Sequence, residues 1–91
     1  MDWLSFDYKH SLDIKEAATR VAAASKELGA SYQLVITKSS RRVDLEGKLL
    51  RGHLNVHYNK VSVSIALAGK VTPTRASVKA GITRALDHHF R

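Results

Sequence analysis

The apolar residues of this chain change their spacing three times, and that alternation of period limits the fold more than any other feature. From Trp3 to Tyr8, the residues Leu4, Phe6 and Tyr8 alternate with Trp3, Ser5 and Asp7, the two-residue period of a half-buried strand. From Ile14 the spacing becomes helical, with Ile14, Ala17, Ala18, Val21, Ala22 and Leu28 recurring on one side. Asp13 and Glu16 have the separation of a capping box, and Gly29 marks the expected helix stop. Period two returns at Ser31, with Tyr32, Leu34 and Ile36 on one face and Gln33, Val35 and Thr37 on the other. Turn residues Lys38 to Arg42 separate this strand from Val43 and Leu45, and Gly47 begins the next break. Leu54, Val56 and Tyr58 then alternate up to a short Asn59-Lys60 turn, and Val61, Val63, Ile65 and Leu67 complete the strands. Thr72 and Pro73 predict an N-cap and a first helical residue, and Val78, Ile82, Ala85, Leu86 and Phe90 stripe a final helix.

The expected order is therefore β-α-β-β-β-β-α, an α+β fold in one domain over residues 1–91, with no internal repeat, low-complexity segment or linker. The first helix reverses the chain, so the sheet order 2-3-4-5-1 makes every neighbouring pair antiparallel and lets both helices cover one face. The arrangement resembles a reduced helix-grip fold, an analogy of architecture that says little about ligands. At 91 residues the chain buries roughly 60 to 65% of its unfolded surface, enough for one thin core and too little for a deep cofactor cavity. No cofactor is expected.

Charge is unevenly placed. The net charge is +7, yet residues 1–37 carry four basic and five acidic side chains, whereas residues 38–79 carry nine basic against two acidic. Such an excess attracts phosphate backbones, anionic lipid or an acidic protein, and it equally serves solubility. In the meander, Lys38, Arg41, Arg42 and Lys60 fall at one end of the sheet and form the candidate basic interaction surface, while Lys48, Arg51, Lys70 and Arg75 fall at the other. Two clusters are a weaker nucleic-acid signal than one stripe, so a small basic nucleic-acid-binding module is the alternative reading rather than the first. Apart from Trp3, the aromatics Phe6, Tyr8, Tyr32, Tyr58 and Phe90 fall on apolar faces and are expected in the core.

Catalytic constellations are sparse. Without Cys there is no disulfide or thiolate site, and no Ser sits in a nucleophile-elbow setting. His53 and His57 on one strand face stand about 13 Å apart, too far to share an ion. His88 and His89 are successive helical residues about 100° apart around the axis, which predicts divergent rings and no metal site. Asp44 and Glu46 lie close to Arg41 and Arg42, where solvated cross-strand ion pairs are expected. These features predict a non-enzymatic protein. The start of the chain lacks the pattern of a secretory signal, and the longest uncharged stretch, Val61 to Gly69, is far below a membrane span, so the expected location is cytoplasmic.

The outer side of the last helix presents Ala76, Ser77, Ala80, Gly81 and Arg84. Small residues permit close approach, and a small one-sided domain gains burial by self-association, so this face is the first candidate for a homodimer and the open sheet face the second. Gly81 costs about 1 kcal/mol relative to Ala inside a helix, which a packing role would explain.

Several segments in order resemble the small bacterial polyhydroxyalkanoic acid system family: His10-Ser11-Leu12 leading into Glu16-Ala17, Gly52-His53-Leu54-Asn55-Val56, Val61 through Leu67, and Ile82 to Leu86-Asp87. The likeness covers nearly the whole chain, and the basic segment from Lys38 to Arg51 is where it departs. The resemblance implies a cytoplasmic bacterial protein whose relatives are associated, largely by genomic context, with storage-polyester synthesis and its granules, and it implies no established catalytic activity. An accessory role through contact with a granule protein or polymer surface is the first expectation, and a homodimer a further one. It carries over no functional residues.

Overall fold

The computed structural model describes residues 2–67 and 74–90. Five strands, β1 (Asp2–Lys9), β2 (Val35–Lys38), β3 (Arg42–Glu46), β4 (Leu50–Val56) and β5 (Lys60–Leu67), join two helices, α1 (Ile14–Tyr32) and α2 (Arg75–Phe90). The sheet order β1-β5-β4-β3-β2, with every pair antiparallel, is the order expected from the hydrophobic periods. Alternation along each strand sends Leu4, Val43, Leu45, Leu54, Val56, Val61, Val63, Ile65 and Leu67 into one cluster with Ala17, Val21, Ala24 and Leu28 of α1 and Val78, Ile82, Ala85 and Leu86 of α2. Both helices therefore cover the same face, α1 over β2, β3 and β4 and α2 against β1.

The opposite face is open, and its registers define rows across the sheet. Trp3, Ala66, Arg51, Glu46 and Val35 form one row, and Ser5, Ser64, His53, Asp44 and Thr37 the next. Trp3 and Val35 stand 59% and 69% exposed at the two edges.

Helix α1 begins where the capping signal lies. Asp13 is extended at φ −68° and ψ 163°, and its Oδ1 accepts the Glu16 N–H at 3.0 Å. The Glu16 carboxylate turns instead to Arg20 at 2.9 Å, leaving only half of a capping box. The expected stop at Gly29 is not used. The helix runs three residues further and ends on Gln33, at φ 57° and ψ 57°, with Leu34 N–H donating to the Gly29 carbonyl at 2.9 Å. A Cβ at Gly29 would lie 3.1 Å from Ile36 Cγ1 and 3.3 Å from the Leu34 carbonyl oxygen, so this glycine lets β2 return close against the helix. Tyr32 consequently belongs to α1, and β2 starts at Val35 rather than Ser31.

Tyr58, expected on the core face of β4, lies elsewhere. The β4–β5 hairpin closes with His57 N–H on the Lys60 carbonyl at 2.8 Å, which puts Tyr58 and Asn59 at the turn. Tyr58 leaves the strand and is 88% exposed. At the other end of the chain, the expected cap at Thr72 and Pro73 lies outside the described residues, and Thr74 Oγ1 accepts the Ser77 N–H at 3.2 Å at the start of α2.

Candidate interaction surface

Antiparallel pairing fixes which loops share an end of the sheet. Lys9 opposes Lys60, Val56 opposes Val61, Arg42 opposes Asn55 and Lys38 opposes Val43, so the β2–β3 and β4–β5 turns and the end of β1 lie together. This brings Lys38, Arg41, Arg42 and Lys60 to one end. The turns are tied to it by main-chain bonds, Ser39 N–H to the Arg42 carbonyl and Val56 N–H to the Arg41 carbonyl, both at 2.7 Å.

The four cations differ in their surroundings. Arg42 Nε lies 2.9 Å from Asp44 Oδ1, two residues along the same strand, and Lys60 Nζ lies 3.4 Å from Asp7 Oδ2 on β1. The Arg42 pair thus runs along β3 rather than across strands, because residues two apart on a strand share a face. Both pairs are solvated and worth little for stability. Lys38 and Arg41 are exposed and have no ion pair among the described residues.

Beside these cations, a groove of about 630 Å³ runs between the β1–α1 connection and the β4–β5 turn, lined by His10, Leu12, Asp13, Ile14, Tyr58 and Asn59. His10 shapes it through both ring nitrogens: Nε2 meets the His57 carbonyl at 3.0 Å and Nδ1 accepts the Leu12 N–H at 3.2 Å. That pairing selects the Nε2–H tautomer and leaves the ring engaged by main chain. Tyr58 is the part of this surface that the alternating pattern concealed. The signal for it was hairpin geometry, since a two-residue turn after His57 takes the next residue out of the strand's alternation.

The other residues singled out from the sequence have separate places. Ala76, Ser77, Ala80 and Arg84 lie exposed along α2, and Ala76, Ala80 and Arg84 line a shallow trough. Gly81 is half-buried instead, and a Cβ there would approach the Tyr32 hydroxyl of α1, so its packing role is within the chain. His88 and His89 do not diverge. His88 Nδ1 and His89 Nε2 reach the same Glu27 Oε1 on α1, at 3.1 and 3.2 Å. Using the near nitrogen of one ring and the far nitrogen of the other offsets the angle between successive helical positions. Hydrogen bonding from His88, reinforced by His89, holds the Glu27 carboxyl below its ordinary pKa.

No helix among the described residues is long and apolar enough to cross a membrane. A protein family described as "Putative polyhydroxyalkanoic acid system protein" matches residues 4–90. No curated protein and no solved structure matches the chain.

Proposed function

Because the chain belongs to the polyhydroxyalkanoic acid system family, we propose that it serves that system as a non-enzymatic accessory protein that works by contact with a granule protein. The observation that most supports this reading is Tyr58, 88% exposed at a hairpin tip on the sheet end that also carries Lys38 and Arg41. An aromatic ring held in water is costly unless something covers it, and neighbouring cations add orientation and steering toward an acidic surface. A protein partner is favoured over bare polymer because α1 and α2 both bury their apolar sides against the sheet, which leaves neither free to lie on a polymer as an amphipathic helix does.

Co-sedimentation separates the alternatives. The wild-type protein is expected to pellet with protein-coated polyhydroxyalkanoate granules, to be released by salt, and to stay in solution with bare polymer. The triple variant Lys38→Ser, Arg41→Ser, Tyr58→Ser should lose the pelleting while melting within a few degrees of the wild type, since exposed turn residues contribute little to stability. Equal pelleting of the variant would overturn the reading. Steeply salt-dependent binding to duplex or single-stranded nucleic acid, with no granule retention, would replace it by a basic nucleic-acid-binding module.

A further inference from the structure

Outside the sheet end, two imidazoles and a carboxylate converge where the last turn of α2 meets α1. The rings of His88 and His89 stand with centroids 4.9 Å apart, and one ligand atom from each of Glu27, His88 and His89 lies within 4.8 Å of the other two. Ligands of a tetrahedral zinc ion, bound at about 2.0 to 2.1 Å, are separated by about 3.3 Å from one another. The ring nitrogens are 3.1 and 3.2 Å from Glu27 Oε1, so two of the three edges already have nearly that length.

We propose that Glu27, His88 and His89 form a surface site for a divalent transition-metal ion of the zinc class. In the metal-free protein each ring offers Glu27 an N–H; on binding, each imidazole takes its other tautomer, the proton passing through water to the opposite ring nitrogen, so that the nitrogen facing Glu27 presents its lone pair to the ion. Two imidazoles and one carboxylate suit zinc, cobalt, nickel or copper, whereas calcium and magnesium demand more oxygen ligands than this set holds. The ion's remaining position faces water, since the His88 side chain is 72% exposed. The C-terminal end of α2 adds a partial negative charge that favours a cation there. Arg20 does not compete for the carboxylate: its guanidinium reaches Glu16 at 2.9 Å and the His89 carbonyl at 2.8 Å. Bound metal would clamp α2 to α1 through side chains on both helices.

Untagged protein titrated with zinc chloride in a calorimeter should take up one equivalent, and the melting temperature should rise by several degrees, with no rise in calcium or magnesium. Cobalt chloride should develop the visible absorption of a low-coordinate cobalt site. Glu27→Gln, His88→Asn and His89→Gln should each weaken binding at least tenfold, while a His53→Asn, His57→Asn control retains it. His88 is exposed enough that its replacement leaves the fold in place, so a loss of binding in that variant reads the site and not unfolding. Absence of a one-equivalent uptake, or uptake undiminished in the His88→Asn and Glu27→Gln variants, would overturn the proposal.

Discussion

Ser25 is fully buried in α1, and its hydroxyl has no hydrogen-bond partner among the described residues. A buried hydroxyl without a partner loses its hydration for nothing, and Ala is the better helix former, so Ser25→Ala should stabilise the protein by about 1 kcal/mol. Chemical denaturation would show this as a higher midpoint at unchanged slope, and a lower midpoint would mean that the hydroxyl has a role in packing. Gly52 is the opposite case. A Cβ there would run into the Ser64 carbonyl oxygen and lie 2.7 Å from Ile65 Cα, both main chain of the neighbouring strand. Gly52→Ala should therefore cost about 3 kcal/mol and lower the melting temperature by more than ten degrees, because β5 cannot yield as a side chain can. A change of only a degree or two would show that the two strands separate easily. Nothing in the local pattern around Gly52 announces this, since the obstruction belongs to a strand more than ten residues away.

At the scale of an element, the two ends of α1 call for opposite substitutions. Asp13 accepts the Glu16 N–H, and Asp13→Ala should destabilise by about 1 kcal/mol through loss of that cap. Gln33 holds a left-handed conformation that a side chain resists, so Gln33→Gly should stabilise by about 1 kcal/mol. Thermal melts of the two variants should move in opposite directions, and a fall in both would mean that Gln33 contributes through its side chain. The start of α1 was legible because a cap is a contact between residues three apart. Its end was not, because what decides it is whether β2 can return beside Gly29, and no three-residue pattern carries that. The same holds at the β4–β5 turn, where an alternating pattern continues through Tyr58 although the pairing has already ended at Val56 and Val61.

For the whole molecule, placing both helices on one side leaves the other face of the sheet open, with Trp3 and Val35 exposed at its edges and Arg51 and Glu46 between them in the same row. With Gly81 turned toward Tyr32, we propose this face, in place of the outer side of α2, as the surface through which the chain would self-associate. Sedimentation equilibrium from micromolar to millimolar protein should then show association that Val35→Lys weakens and Ala80→Gln leaves unchanged, the first placing a charge in the contact and the second altering only the helix. A monomeric mass across that range, or sensitivity to Ala80→Gln instead, would rule out the sheet-face dimer.

The order of elements, the antiparallel topology, the sidedness of the sheet and the family were all present in the residues themselves. They rest on periods of two and 3.6, on short-range capping, and on the succession of segments from His10 to Asp87, which are properties of neighbours along the chain. The gathering of Lys38, Arg41, Arg42 and Lys60 at one sheet end could also be anticipated, because a meander of known order dictates which turns coincide. What only the tertiary structure decided is where distant side chains meet: Tyr58 leaving the core, Gly81 beneath Tyr32, and two histidines drawn to one oxygen of Glu27. The histidines show why. Their own helix sets them about 100° apart, and they converge because α1 offers a carboxylate between them, a position set by the packing of two helices and not by either sequence alone.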